Sequence, residues 1–421
     1  MTALRITGVT ITPIAVNDAP LLNSVGVHEP YALRSVVEVH TDTGITGIAE
    51  AYGDDPTLDR LRRAAAALPG LDVFDVHGLA QRVAVALGEV VADTPTVLIG
   101  YASAVKTVAA TVAAFEVAMF DAQGKATGRR VCDLLGGAVR EAVPFSAYLF
   151  YKWAGHPGQE PDGYGEALDP DGIVAQAKWL VGRHGFGSIK LKGGVFPPDE
   201  EIAAVRALRA TFPDHPLRLD PNANWTVETS LRVAAELDGV LEYLEDPTDG
   251  IAGMARVAAG TSLPLATNMC VTSFDDIPPA VARGAVQIIL GDHHFWGGFQ
   301  ASAKLAGICE TFGLGMSMHS NTHLGLSLAA MTHLAAATPH LSYACDTHSP
   351  WQTGDIIEPG ALSFVDGAVP VPAGPGLGVS LDRDAVGRLH EQWRKCGIRR
   401  RDDVAAMRVK YPDWTGERPR F

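Results

Sequence analysis

The stretch SIKLKGGVFPPDEEIAAVRALRATFPDHPLRLDPNANW, residues 188–225, carries the unit from which the fold is read. It opens on a short β-type run, Ser188–Lys192. Apolar residues then recur at helical spacing over Ile202–Thr211, and a second β-type run follows at Leu217–Asp220. A strand, a helix and a second strand in so short a span form a βαβ unit, whose strands are parallel. Gly185-Phe186-Gly187 stands before a strand rather than at the head of a helix, so it fails the context that a dinucleotide fingerprint requires.

The same rhythm continues on both sides. β-type runs recur at Val143–Phe150, Leu241–Glu245, Leu263–Thr267, Val286–Leu290, Gly315–His319 and Leu341–Asp346; helix-like segments include Thr229–Leu237, Ser302–Thr311 and Leu326–Ala337. Eight strands alternating with helices, at a repeat of about 25 residues, predict an α/β protein with a (β/α)8 TIM-type barrel over 136–350. An open doubly wound sheet is the competing arrangement, but it calls for a phosphate fingerprint that is missing. No GxxxxGK[ST], HExxH or GxSxG is present either. Upstream, residues 4–16 read as a strand, Arg34–Glu50 as a hairpin turning at Asp42-Thr43-Gly44, and 56–68, 74–91 and 104–127 as helices. Strands followed by helices, without alternation, predict a separate α+β capping domain over 1–135, which makes the barrel a modified one. The remainder, 351–421, is rich in Pro and Gly up to Gly378 and is expected to return to the cap.

With 421 residues the chain exceeds one ordinary core, and 47% apolar against 19% charged residues suits a packed globular protein. A formal net charge of −14, with no basic face, speaks against nucleic acid as a partner; it leaves room for an anionic small molecule in a locally positive pocket. Cys132, Cys270, Cys309, Cys345 and Cys396 are scattered and lack CxxC spacing, so neither a disulfide framework nor a zinc site is expected. Met1–Val16 lacks a basic start followed by an apolar block, and no apolar run reaches about 18 residues. The expectation is a cytoplasmic protein with no membrane partner.

Polar residues stand at the ends of the predicted strands. The second ends Lys190-Leu191-Lys192; the next four end near Asp220, Glu245, Asn268 and Asp292, and the seventh at His319. In a barrel these ends converge on one mouth, where active sites of the fold are built. Asp220, Glu245 and Asn268 offer only oxygen, the donor set a hard cation such as Mg²⁺ prefers and zinc does not. Two carboxylates balance the ion's two charges, and a neutral amide leaves it able to accept a substrate carboxylate. The plain alternative is that Asp220 and Glu245 cap the helices that follow. Lys190 and Lys192 are two apart on a strand and share a face, where proximity to each other and to a metal is expected to lower their pKa, as suits a base. An Asp292–His319 pair would orient the imidazole and support its charged form, giving a second acid or base.

Together these groups suit removal of a proton next to a carboxylate, made feasible by a cation that stabilises the resulting charge. Lys192 would take the proton from one face, with Lys190 against a carboxylate oxygen. His319, from the other face, would deliver a proton to a leaving hydroxyl, a dehydration, or return it to carbon, a racemisation or epimerisation. A non-catalytic binding protein is the third possibility, and it sits badly with a competent residue at every position.

The segments SIKLKGGV (188–195), LRLDPNANW (217–225), EYLEDP (242–247), LATNM (265–269), GDHHFWGG (291–298), SMHSNTH (317–323) and ACDTH (344–348) resemble the glucarate dehydratase group of the enolase superfamily. The likeness covers nearly the whole chain, and Asn268 as third ligand is a mark of that group. It implies Mg²⁺ on Asp220, Glu245 and Asn268, Lys192 and His319 as bases, His319 also as general acid, Asp292 orienting it, and Lys190 as electrophile. It further implies that His28, Tyr148, Asn222, Asn321, His348 and Arg401 hold an acid-sugar substrate, and that the chain forms a homo-oligomer. The group's usual DPNGAW reads Asp220-Pro221-Asn222-Ala223-Asn224-Trp225 here. The loop Trp153–Asp169 is shorter than is typical of the group, and the cap segment Asp93–Lys106 departs from its pattern. These differences bear on the choice of substrate rather than on the ligands and bases.

Overall fold

The computed structural model describes residues 4–90 and 103–421. The N-terminal strand β1 (Ile6–Asn17) pairs antiparallel with β2 (Tyr31–Thr41), which pairs with β3 (Thr46–Tyr52) through the turn at Asp42–Gly44. Helices α1 (Asp55–Ala65), α2 (Val76–Leu87) and α3 (Ala104–Thr127) follow, and α3 packs on β3. Each begins at a side-chain cap, with Asp54, Asp75 and Ser103 accepting from the main-chain N of Thr57, Gly78 and Lys106. Part of the segment noted above as departing from the group pattern, residues 93–102, lies outside the described residues.

After the single-turn α4 (Val131–Leu134) and the short β4 (Ala142–Pro144), parallel strands alternate with helices: β5 (Ala147–Phe150), α5 (Pro170–His184), β6 (Ile189–Lys192), α6 (Pro198–Thr211), β7 (Leu217–Asp220), α7 (Val227–Glu236) and β8 (Tyr243–Glu245). The series continues with α8 (Gly250–Ala258), β9 (Leu265–Thr267), α9 (Ile277–Ala282), β10 (Ile288–Gly291), α10 (Phe299–Phe312), β11 (Gly315–Met318) and α11 (Gly325–Ala336). Strands β5 to β11 lie side by side in chain order in one parallel sheet.

Two strand expectations need correction. Val143–Phe150 is not one strand: β4 pairs antiparallel with β12 (Ala368–Pro370), and only β5 joins the barrel. The eighth run, Leu341–Asp346, makes one parallel bridge, Cys345 with Phe145. Closure still occurs there, because Cys345 N donates to Pro144 O, Ser146 N to Cys345 O and Asp346 N to Met318 O. No longer ladder forms, since the Ala344 carbonyl accepts instead from Arg218 Nη1 at 2.8 Å and Ser317 Oγ at 2.9 Å.

Carboxylates of the cap dock it onto the barrel. Glu50 on β3 accepts from Leu324 N at 3.0 Å and Ser327 N at 3.1 Å, at the start of α11, and pairs with buried Arg34 at 2.7 Å. Glu116 on α3 accepts from Phe299 N and Gln300 N at the start of α10. Helix N-termini favour negative charge, so each contact joins the two units electrostatically. Glu50→Gln leaves Arg34 buried without its counter-charge and is expected to lower stability by about 3 kcal/mol in urea unfolding. An unchanged midpoint would show that the pair does not hold the interface.

The chain then returns to the cap. Helix α12 (Arg383–Cys396) packs on β1, with Gln392 Nε2 donating to Ala15 O at 3.0 Å. Beyond α13 (Asp403–Arg408), the tail ties the cap loop to the loop after β7. Trp414 Nε1 donates to Val25 O at 2.6 Å, Arg418 Nη1 to Asn222 O at 2.6 Å, and Arg420 N to Asn224 Oδ1 at 3.0 Å. Asn224 stands where the group has alanine, and its amide serves this tail. Among the described residues no helix is long and apolar enough to cross a membrane.

Candidate active site

Register alone brings the strand-end residues together. Lys192 pairs with Asp220, and continuing the β7–β8 ladder sets Asp220 beside Glu245, which pairs with Ala266. Asn268 is two residues beyond Ala266 and therefore on the same face, one pleat nearer the mouth. Tyr243, Ala266, Ile288 and Leu290 form a small buried cluster. Each of Tyr243, Ala266 and Leu290 stands two residues before Glu245, Asn268 or Asp292, so the same strand faces carry an apolar layer and, above it, the polar one.

The polar layer is dense with charge. Lys192 Nζ lies 2.7 Å from Asp220 Oδ2, and Lys190 Nζ lies 2.6 Å from both Glu245 Oε2 and Asp346 Oδ2 and 3.7 Å from Asp220 Oδ2. Both ammonium groups stand over the Tyr148 ring, at 4.7 and 5.8 Å from its centroid. The Tyr148 hydroxyl donates to Asp220 Oδ2 at 3.4 Å. Burial works to raise the Asp220 pKa, but Lys192 and Lys190 overcome it and draw it down to about 2. Glu245 goes the other way, well above the carboxylate range, through burial and then the charge of Asp220. Lys190 contradicts the expectation of a lowered pKa. Burial does oppose its charge, but Asp346 and Glu245 hold it well above the lysine range. The sequence pairs it with one lysine, whereas the fold surrounds it with three carboxylates.

Whether this wall suits a divalent cation can be judged from its atoms. Lys190 engages Glu245 Oε2, but Oε1 is buried and has no hydrogen-bond partner, which leaves that oxygen open to a further positive charge beside Asp220. Among the described residues no three His, Cys, Asp or Glu side chains gather with metal-ligand spacing, so a third donor has to be of another kind, as the Asn268 amide is. Asn268 follows β9 directly, and its main-chain N donates to Asp246 Oδ2 at 2.8 Å. The donors fit a hard, oxygen-seeking ion.

Across the mouth, His319 Nδ1 lies 3.2 Å from Asp292 Oδ2, which leaves Nε2 for a substrate. The expectation that Asp292 favours the charged ring is only partly met. Burial lowers the His319 pKa below the ordinary value, and the Asp292 bond offsets this incompletely. A protonated His319 is accordingly a stronger acid. Ring contacts gather further predicted residues: Phe150 lies 6.2 Å from His28 and 5.2 Å from His348, which is 4.9 Å from Tyr148. Asn222 donates to Asp220 Oδ1 at 2.7 Å and leaves its own Oδ1 buried and unpartnered, as Asn321 leaves Nδ2. The positive φ of Asn222, 51°, and of Ala223, 56°, lets this tight loop fold back onto Asp220. Arg401 stands on the cap side of this set. Its guanidinium donates to Asp403 at 2.6 and 2.7 Å, beside the cap loop, where its charge bears on Asp18 and Glu29.

Two residues with a place here had no assigned role. Asp346 ends the eighth β-type run just as Asp220 ends the third, and that shared position was the signal available in the sequence. Asp18 sits in an irregular loop between Asn17 and Ala19, and nothing in its neighbourhood marks it.

Comparison with known proteins gives this geometry a lineage. Residues 172–385 match the family described as "Enolase C-terminal domain-like". The chain is 56% identical, over 98% of its length and 97% of the relative's, to a "Probable glucarate dehydratase" of Streptomyces coelicolor. It superposes with a TM-score of 0.97 and 61% identity, over all of both chains, on an enolase of Thermobispora bispora solved with magnesium and formate. An enolase of Pseudomonas fluorescens solved with magnesium, potassium and tartrate gives a TM-score of 0.97 at 49% identity, again over all of both chains. With its capped barrel and this full-length likeness, the chain belongs to the enolase superfamily.

Proposed function

We propose that the protein is a Mg²⁺-dependent acid-sugar dehydratase, a hydro-lyase of the glucarate dehydratase kind. The observation that carries the reading is the position of Lys192 at the end of β6 and of His319 just beyond β11, well apart around the barrel, with the carboxylate pair between them on β7 and β8. Its relatives agree, one named a probable glucarate dehydratase and another holding magnesium with tartrate, a hydroxylated diacid.

Asp220, Glu245 and Asn268 would hold Mg²⁺, which when bound offsets negative charge growing on the substrate carboxylate as its α-proton leaves. Lys190, kept charged by Asp346 and Glu245, lies against that carboxylate as a second source of positive charge. Lys192 takes the α-proton. His319, oriented by Asp292, gives a proton to the β-hydroxyl, which departs as water; the enol left behind becomes a keto-deoxy acid. His28, Tyr148, Asn222, Asn321, His348 and Arg401 surround the rest of the sugar acid. We also assign the cap to 1–135, the barrel to 136–350 and the returning segment to 351–421, in a cytoplasmic homo-oligomer.

The test is to incubate the protein with Mg²⁺ and a library of aldarates and aldonates, and to detect keto acid with semicarbazide. Consumption of D-glucarate or a stereoisomer is expected, and stops when the metal is chelated. Deuterium entering recovered acid from D₂O without keto acid would instead mean epimerisation. A library left untouched would end the dehydratase reading.

A further inference from the structure

The mouth contains a second carboxylate–imidazole pair that no step above uses. Asp18, just after β1, has Oδ2 3.0 Å from His28 Nδ1. This is the same ring atom, at nearly the same distance, as in the Asp292–His319 pair at 3.2 Å. Both side chains are almost fully buried, His28 at 5% and Asp18 at 2% exposure. Asp18 is also held from the barrel: Thr322 Oγ1, after β11, donates to Oδ2 at 3.4 Å, and the His156 ring bonds its main-chain carbonyl at 2.8 Å.

A buried carboxylate needs a counter-charge. The second oxygen, Oδ1, has no hydrogen-bond partner among the described residues. Nearby cations are already engaged, Arg401 by two bonds to Asp403 and Lys152 by Asp162 at 2.8 Å. Burial pushes the Asp18 carboxyl up, but His28, Arg401 and His156 outweigh it, so the group stays ionised. The contacting partner for that charge is His28 Nδ1. With Nδ1 engaged, Nε2 is the nitrogen left for a ligand, on a ring that borders Phe150, the β5 neighbour of Lys192.

We propose that Asp18 is a positioning residue that holds the His28 ring through Nδ1, so that Nε2 is presented to the distal carboxylate of a dicarboxylic acid sugar. This rests on the dehydratase reading and adds the residue that lets the site tell a diacid from a monoacid. A carboxylate that only fastened the cap to the barrel would matter equally for both.

D-Glucarate and D-gluconate are a matched pair of probes, differing only in the carboxylate or hydroxymethyl at C6. Binding is measured calorimetrically with Mg²⁺ in a Lys192→Met background, where proton removal is blocked. Asp18→Asn is expected to weaken D-glucarate binding about 30-fold, the worth of a charge-assisted hydrogen bond, and D-gluconate binding less than about 3-fold. Asp18→Ser, which also removes the charge, serves if the Asn variant does not fold. Adding Asp18→Asn to His28→Gln should cost nothing further, because the two act as one unit. Equal weakening of both acids, or unchanged D-glucarate binding, overturns the proposal while leaving the dehydratase reading intact. A parent protein that binds neither acid refutes that reading, and the role of Asp18 with it.

Discussion

Lys192→Ala is expected to lower kcat on the acid-sugar substrate by about 10³- to 10⁴-fold, the upper part of the range for removing a positioned base. Lys192 ends β6 with its ammonium 2.7 Å from Asp220 Oδ2. Its neighbour Lys190 cannot replace it, being pinned between Glu245 and Asp346 at 2.6 Å each and held charged. A lysine that keeps its proton serves as a charge, not as a base, so Lys190 supplies charge and the base is assigned to Lys192. Steady-state rates with semicarbazide detection, and loss of α-deuterium from labelled substrate, report the step directly. Metal binding should survive, since the variant removes a positive neighbour of Asp220 and no oxygen ligand. A variant retaining a tenth of the parental rate would move the base elsewhere.

Glu245→Gln is expected to cost more than about 10³-fold in kcat/KM, since it removes one of two negative ligands and with it most of the electrostatic stabilisation the ion supplies. Stability should respond in the opposite sense when no metal is present. The fold raises the Glu245 pKa through burial and Asp220, so the carboxyl favours the fold while neutral and opposes it as pH rises and it ionises. At neutral pH glutamine removes that opposition, and Lys190 keeps Asp346 as a partner. The metal-free variant should therefore melt no lower than the parent, while the rise in melting temperature that Mg²⁺ gives the parent disappears. A metal-free variant that melts well below the parent, or still gains stability from Mg²⁺, would take Glu245 out of the ligand set.

Much of the site was legible because it depends on local pattern. Lys192, Asp220 and Glu245 each close a short apolar run, and parallel strands in register set such ends side by side. The Asp292–His319 pair followed in the same way, one residue beyond β10 and β11. The eighth strand misled because its apolar run is real, while the Ala344 carbonyl it would use is claimed by Arg218, 126 residues away. Asp18 was invisible because its partners, His28, His156 and Thr322, come from three distant segments.

The chain's own order of residues determined the alternating architecture, the level at which ligands and bases emerge, and the chemistry those residue types can perform, since periodicity and strand register act over a few residues. Tertiary structure alone decided that Lys190 stays charged, that burial lowers the His319 pKa, that Arg401 bonds Asp403, and that a cap carboxylate stands behind His28. Charge and desolvation depend on every group within several ångströms, and those groups meet only after loops far apart in the chain have closed over one another.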